Sequence, residues 1–98
     1  MPLKASQKLY LRGLSHDLKP VIMVGNKGVS AAVIAEFSLA LDQHELVKVR
    51  LAGDDRGARA EQVTTLAASA QAELVQTIGK VASFYRRNTD TPRIALPK

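Results

Sequence analysis

The chain has 98 residues, of which 46% are hydrophobic and 23% are charged, a length and balance typical of one folded domain rather than of a disordered segment. The absence of cysteine excludes disulfides and thiolate metal sites and fits a reducing, cytoplasmic environment. There is neither an apolar leader nor a stretch near the roughly 18 apolar residues that a membrane helix needs, so we expect a soluble protein without a membrane partner.

The net charge of +5 is concentrated in three places along the sequence. Residues 1–28 and 80–98 each carry five basic residues and one acidic residue, and Lys48 and Arg50 form a third basic site. Such clustering is the pattern expected of a protein that binds a polyanion, although a basic composition also serves solubility alone.

The first predicted helix covers residues 6–16. Ser6 is a suitable N-cap, and an apolar stripe at helical spacing is formed by Leu11, Leu14 and Leu18. Basic residues recur every four positions and should form one row on this helix, facing either solvent or phosphates; they are Lys4, Lys8 and Arg12. Pro20 ends the helix, because proline disfavours the α conformation in the residue before it.

A strand over residues 21–24 then runs into Gly25-Asn26-Lys27-Gly28, and a helix follows from Ser30, its N-cap, to His44. A glycine turn at the start of a helix exposes backbone N–H groups and lies at the positive end of the helix dipole, and both features suit a phosphate. Lys27 adds a mobile cation. The alternative is a strand-to-helix turn with no ligand, because a Gly-x-x-Gly string arises by chance in about half of chains this long.

The spacing of this loop excludes two common phosphate-binding motifs. The Lys-Ser/Thr ending of a P-loop is absent, and so is the third glycine of the dinucleotide fingerprint. KH modules, by contrast, clamp a nucleic-acid backbone with a loop of this form.

The second half of the chain predicts three more strands and one helix. Residues 46–51 alternate, so that apolar side chains should face a core while Lys48 and Arg50 face outward, which predicts a sheet with one open, basic face. A turn at residues 53–57 precedes a helix whose apolar stripe is Val63, Leu66, Ala67 and Ala70. Strands at 74–78 and 81–85 are joined by Gly79-Lys80, which predicts a type II′ hairpin.

The predicted order is therefore α-β-α-β-α-β-β in a single α/β domain. Each strand-helix-strand unit should pair its strands in parallel through a right-handed crossover, and the last hairpin adds an antiparallel pair. This gives a four-stranded mixed sheet with helices packed on it, over residues 1–87, followed by an irregular or frayed tail at 88–98.

Catalysis finds little support in the sequence. His16 and His44 lie at predicted helix C-termini, where capping is the common role. Asp54 and Asp55 are adjacent turn residues, and no metal-ligand spacing occurs. We therefore expect no enzyme, no metal, no cofactor and no small-molecule substrate. Tyr10 or Tyr85 could stack on a base, but packing with the hydroxyl at the surface is more common.

Several motifs in one order resemble a known family. They are Tyr10-Leu11-Arg12-Gly13-Leu14, Leu18-Lys19-Pro20-Val21, Val24-Gly25-Asn26-Lys27-Gly28, Ala40-Leu41-Asp42-Gln43-His44-Glu45-Leu46-Val47-Lys48-Val49, Ile78-Gly79-Lys80-Val81 and Phe84-Tyr85-Arg86-Arg87. Across about residues 5–87 the chain resembles the CRM-domain (YhbY-like) RNA-binding proteins. The resemblance implies an α/β fold related to the C-terminal domain of translation initiation factor 3, with a KH-like GxxG loop. For a stand-alone bacterial member it also implies association with precursors of the large ribosomal subunit.

The leading hypothesis is a monomeric, cytoplasmic RNA-binding protein that acts in assembly of the large ribosomal subunit and recognises ribosomal RNA by shape. Its expected RNA-binding residues are Gly25, Asn26, Lys27, Gly28, Lys4, Lys8, Arg12, Lys48, Arg50, Arg86 and Arg87. The alternative is a protein-protein adaptor that docks on a ribosomal protein or an assembly factor through the exposed sheet face.

Overall fold

The computed structural model describes residues 3–25 and 27–98, and its helices and strands follow the predicted order. They are α1 (Ala5–Ser15), β1 (Ile22–Met23), α2 (Ala31–His44), β2 (Leu46–Arg50), α3 (Arg56–Ala70), β3 (Glu73–Ile78) and β4 (Val81–Tyr85). The α/β class, the single four-stranded mixed sheet and the three helices are confirmed. The likeness to initiation factor 3 and to KH loops stays a prediction.

The helices begin where a polar side chain accepts a backbone N–H. Ser30 caps α2 as predicted, since its hydroxyl accepts from the Val33 N–H at 3.2 Å, and Asp55 caps α3. The predicted cap at Ser6 is wrong. Helix α1 starts one residue earlier, after Lys4, because the Gln7 side chain reaches back to accept the Lys4 N–H at 2.9 Å.

The strand order in the sheet is β1-β2-β4-β3. The pair β1–β2 is parallel, and β4 pairs antiparallel with both β2 and β3. Direct parallel pairing in the second strand-helix-strand unit was therefore a wrong prediction, because β4 lies between β2 and β3. The physical reason is burial: β4 carries Ala82 and Phe84, both fully buried, and fits the centre, whereas β3 ends in exposed Thr77 and Ile78 and fits an edge.

The β3–β4 hairpin turns through the two residues that the sequence singled out. Ile78 pairs with Val81, and φ is positive at Gly79 (58°) but not at Lys80, the pattern of a type II′ turn rather than a type I′ turn. Lys80 also forms an ion pair of 2.6 Å with Asp54, which lowers the pKa of the Asp54 carboxyl through the hydrogen bond and the charge of Lys80.

The larger core lies between the sheet and helices α2 and α3. Val47, Val49 and Leu51 face it as predicted, and the rings of Phe37 and Phe84 meet edge to face at 5.0 Å. The alternation of β2 therefore places Lys48 and Arg50 on the other face of the sheet.

That other face is only half open, which corrects the prediction of an open, basic face. Leu11 of α1 packs on Leu46, Val75 and Tyr85 in a second, smaller core. Of the three leucines predicted as the stripe of α1, Leu11 alone is buried, and the other two remain more than a third exposed. Helix α1 thus covers the end of the face next to Tyr85 and leaves the opposite end uncovered.

A buried carboxylate holds the C-terminal tail against the domain. Glu45, at the junction of α2 and β2, has no exposed surface, and its carboxylate accepts three backbone N–H groups, from Asn88 at 2.7 Å, Arg93 at 2.6 Å and Ile94 at 2.7 Å. Residues 86–98, all described, form no helix or strand, but they lie against the second core through Ile94 and Leu96 instead of fraying.

Arg86, directly after β4, connects α2 and α3 through its partly buried side chain. Its guanidinium donates to the Ala70 carbonyl at 2.8 Å, to the Ser38 carbonyl at 2.8 Å and to the Ser38 hydroxyl at 3.1 Å. It also pairs with Asp42 at 2.7 Å, and its side chain is only 21% exposed. Five rigidly arranged N–H donors suit such a convergent set of acceptors.

Removal of the Glu45 carboxylate should release the tail. Glu45→Ala leaves three N–H groups without their acceptor, so we expect a loss of about 3 kcal/mol in the free energy of unfolding and faster hydrogen exchange at Asn88, Arg93 and Ile94. The milder Glu45→Gln should show the same changes at smaller size. Glu36→Ala, at an exposed position of α2, is the control in urea denaturation, and equal midpoints for the Glu36 and Glu45 variants would contradict the role of Glu45.

Arg86→Lys should destabilise the fold although it keeps the charge. A single ammonium group cannot reach the Ser38 and Ala70 carbonyls and Asp42 together, so we expect a loss of about 2 kcal/mol in the free energy of unfolding. Arg87→Lys, at the exposed neighbouring position, should change it by less than about 0.5 kcal/mol. Thermal denaturation of both variants measures this difference, and equal effects would argue against the internal network.

Candidate nucleic-acid interface

The glycine loop is a tight turn closed by its own backbone. The Gly28 N–H donates to the Gly25 carbonyl at 2.9 Å, and the two glycines face each other as an isolated antiparallel bridge. The Gly28 N–H is therefore occupied within this 25–28 turn and is not among the groups that point outward. Asn26, the fourth predicted residue of the loop, lies outside the described residues.

The two glycines of the 25–28 turn differ in what the fold demands of them. Gly28 has φ +76°, a conformation that residues with a side chain rarely adopt. At Gly25 φ lies outside that range, and a Cβ built there would meet no atom within 4 Å. The fold needs a glycine at position 28, but nothing inside the protein requires one at position 25.

Helix α2 begins at Ala31, three residues after the turn. Ser30 satisfies the Val33 N–H, while among the described residues no acceptor is bonded to the N–H of Ala31 or Ala32. Lys27, at the tip of the turn, is exposed and has no ion-pair partner in the described part of the chain. An exposed cation at the turn thus lies four residues along the chain from the first residue of α2, the positive end of a helix dipole.

The structure divides the predicted basic residues into two groups. Arg50 belongs to the group near the 25–28 turn, because its carbonyl accepts the Val24 N–H at 2.9 Å and its side chain is exposed. Lys48 lies one step back along β2, where its ammonium donates to the Leu18 carbonyl at 3.1 Å. Arg50 and Leu46 pair with the first and last residues of β4, so these ends of the sheet are about 13 Å apart.

The second group lies at the far end, around the start of α1 and the end of β4. Lys4 and Arg87 are exposed there and line a surface groove of about 840 Å³ with Glu73 and Leu96. Lys4, Lys8 and Arg12 follow one another along α1 as predicted, but the Arg12 guanidinium donates to the Val75 carbonyl at 3.4 Å.

Two of the residues considered for RNA contact are used inside the protein. Arg86 has its guanidinium in the network with Ser38, Ala70 and Asp42, and we assign it a structural role. Tyr85 is buried, and its burial, with the nearby Glu45 carboxylate, raises the pKa of its hydroxyl despite an opposing effect of Arg87. Tyr10 is 43% exposed.

One surface feature was missed at the level of sequence. The uncovered end of the α1-side face carries Met23, Ile78 and Val81 beside Arg50 and Lys48, and we call these five residues the open half-face. Burial alternates along residues 21–24, since Ile22 and Val24 are buried whereas Val21 and Met23 are 58% and 67% exposed. Because all four of these residues are apolar, the sequence itself does not show which of them face solvent.

Other kinds of site find no counterpart in the part of the chain that is described. Within residues 3–25 and 27–98, no three His, Asp or Glu side chains converge as metal ligands would. None of the helices in these ranges combines the length and the apolar composition needed to cross a membrane.

Comparison with known proteins extends the resemblance across nearly the whole chain. The profile of the CRS1 / YhbY (CRM) domain matches residues 3–86. A protein of Haemophilus influenzae named "RNA-binding protein" is 40% identical over 96 residues, which cover 98% of this chain and 96% of the relative. A "Probable RNA-binding protein" of Pseudomonas aeruginosa is 42% identical over 88 residues, covering 90% and 85% of the two chains.

A solved structure agrees with the fold as well. The solution structure of a hypothetical protein from Staphylococcus aureus, described as a candidate RNA-binding protein, superimposes with a TM-score of 0.85 at 32% identity and covers 98% of this chain and 100% of that one. The chain described here therefore belongs to the CRS1 / YhbY (CRM) domain family.

Proposed function

We propose that this protein binds RNA, with the 25–28 turn against the RNA backbone. The observation that carries the proposal is Gly25. An L side chain would fit at this position without meeting the rest of the protein, so the fold does not require the glycine, and in a turn before a helix N-terminus a glycine lets another backbone come close. Lys27 and the N-terminus of α2 make that approach favourable for a phosphate. Relatives from Haemophilus and Pseudomonas are named for RNA binding, which supports the same ligand.

The arrangement of charges favours RNA over a small anion. Lys27 and Arg50 lie at one end of the sheet and Lys4 and Arg87 at the other, so a single phosphate cannot contact both groups, whereas a folded RNA can. Phosphate contacts give affinity but little sequence preference, and we therefore propose recognition by shape. The protein acts by binding, without a chemical step, and its RNA-binding unit comprises residues 1–87 with the tail fastened to it.

The RNA that we propose is ribosomal RNA in precursors of the large ribosomal subunit, bound by a monomer in the cytoplasm. The support is the resemblance to stand-alone CRM proteins together with the family membership. Ultraviolet crosslinking in cells, followed by sequencing of the attached RNA, should recover mainly large-subunit ribosomal RNA. An adaptor that docks on a ribosomal protein would instead sediment with the particles without crosslinking to RNA, and moderate salt or competing RNA would not release it.

Substitution of the two glycines should separate fold from function. Gly25→Ala should leave the free energy of unfolding within about 0.5 kcal/mol of wild type but weaken RNA binding about tenfold, because the methyl group keeps the RNA backbone from one charge-assisted contact. Gly28→Ala should lose about 1–2 kcal/mol in stability, because φ is +76° there. Chemical denaturation and RNA titration measure the two effects.

The control for this pair is Gly13→Ala, in an exposed position of α1 where a Cβ also meets nothing. It should raise helix stability slightly and leave RNA affinity unchanged. If Gly25→Ala binds RNA as wild type does, the reason for proposing the 25–28 turn as the contact disappears.

Lys27→Ala should weaken binding to every RNA by a similar factor. Loss of one phosphate contact reduces the slope of log K against log salt concentration by about one. Lys98→Ala, the same change of charge at the exposed last residue, is the control and should keep the slope. A titration series in which both variants share the wild-type slope would remove Lys27 from the interface.

A further inference from the structure

The open half-face contains a row of side chains across all four strands, apolar on β1, β4 and β3 and with Arg50 on β2. Met23 pairs with Arg50, Arg50 with Val81, and Val81 with Ile78, and residues paired across strands point to the same face. Met23 and Ile78 are 67% and 62% exposed. Exposed apolar side chains in a continuous row indicate a contact surface.

A hollow of about 220 Å³ adjoins this row. Its lining combines an apolar wall with three polar side chains, and the residues are Pro20, Lys48, Gln76, Ile78, Val81 and Ser83. Ser83 is 99% buried and lies in the wall of the hollow beside Gln76 and Lys48. A lining that mixes apolar and polar side chains suits a ligand with an apolar face and a polar edge.

The other two polar side chains are held in place from behind. The Gln76 amide donates to the Ser15 hydroxyl at 3.3 Å, and the Lys48 ammonium donates to the Leu18 carbonyl at 3.1 Å. Both contacts come from the end of α1 and the segment that follows it. The hollow is therefore bounded by fixed groups rather than by loose surface side chains.

A nucleobase has the chemistry that this surface can recognise, because its faces are apolar and its edge carries donors and acceptors. Planar guanidinium groups stack on bases, and Arg50 is exposed in the middle of the row. The side chains of the half-face and its hollow include two cations, Lys48 and Arg50, and no carboxylate. The positive charge attracts a polyanion such as RNA more strongly than a protein surface with few acidic residues.

The half-face is also continuous with the proposed phosphate contact. Met23 precedes Gly25 by two residues, a distance of about 7 Å along a strand. A nucleotide next to the phosphate held at the 25–28 turn can therefore reach the half-face without a bend in the RNA.

We propose that the open half-face and its hollow bind an unpaired nucleobase of RNA, next to the phosphate held at the 25–28 turn. This inference rests on the proposed function and adds the class of RNA: the protein selects RNA with unpaired nucleotides over a continuous duplex. In a duplex the base faces are stacked on one another and cannot enter the hollow.

The test compares two hairpin RNAs that share the same stem and the same number of phosphates. One has a loop of mixed sequence, and in the other the loop nucleotides are abasic. Wild-type protein should bind the abasic hairpin about tenfold more weakly, since stacking of one base contributes about that factor or more. The double variant Met23→Gln/Ile78→Thr should bind the intact loop about fivefold more weakly than wild type and the abasic loop equally well.

The control variant is Leu39→Gln, at a position of α2 that is 58% exposed on the opposite side of the sheet; it should bind both hairpins as wild type does. Equal affinity of wild-type protein for both hairpins, with a normal salt slope, overturns the half-face proposal and leaves RNA binding intact. Failure to bind either hairpin at low salt overturns the proposed function as well. If the double variant keeps full RNA affinity but no longer sediments with large-subunit precursors, the half-face is a protein contact and the proposal is again overturned.

Discussion

The buried carboxylate of Glu45 connects parts of the protein that are far apart in sequence. Its backbone has φ +63° and turns the chain from α2 into β2, its carbonyl accepts the Arg86 N–H, and its carboxylate fixes the tail. The tail residues Ile94 and Leu96 in turn complete the second core, on which Leu11 seats α1. A buried carboxylate is costly unless it is hydrogen-bonded. The domain is therefore stable only when the tail supplies its three N–H groups to Glu45.

The position of α1 decides which part of the sheet remains available to a partner. The helix covers the end of the face at Leu46 and Tyr85, and the row from Met23 to Ile78 stays uncovered at the other end. The uncovered end adjoins the 25–28 turn, because it includes Met23 at the end of β1 and the turn begins two residues later. The proposed phosphate contact and the proposed base contact are therefore neighbours on one sheet, an arrangement that would allow recognition without large rearrangement.

Local patterns in the sequence were sufficient to predict the helices and strands but not to predict which strands pair or which side chains meet. The four-residue repeat of α2 and the alternation of β2 depend on neighbouring residues, and both were predicted correctly. The place of β4 between β2 and β3 depends on which strand is buried on both faces, and this is settled only when all strands are together. Glu45 and Arg86 appear in the sequence as ordinary surface charges, because all their side-chain partners except Ala70 lie more than forty positions away. Within the candidate site, the sequence located the glycine loop but could not separate Gly25 from Gly28, since φ is not visible in a motif.

The two glycines of the 25–28 turn differ in a way that would let one loop serve both the fold and the proposed ligand. The positive φ of Gly28 already accounts for a glycine at that position, so a loss of binding on its substitution would not by itself indicate an RNA contact. Gly25 carries no such requirement, and Lys27 and Arg50 place charge beside it. Phosphate contacts at this point would supply affinity that falls with salt, whereas apolar contacts on the half-face would depend little on salt. In this proposal the apolar contribution sets the discrimination between unpaired and paired RNA, so raising the salt concentration should lower both affinities while their ratio stays nearly constant.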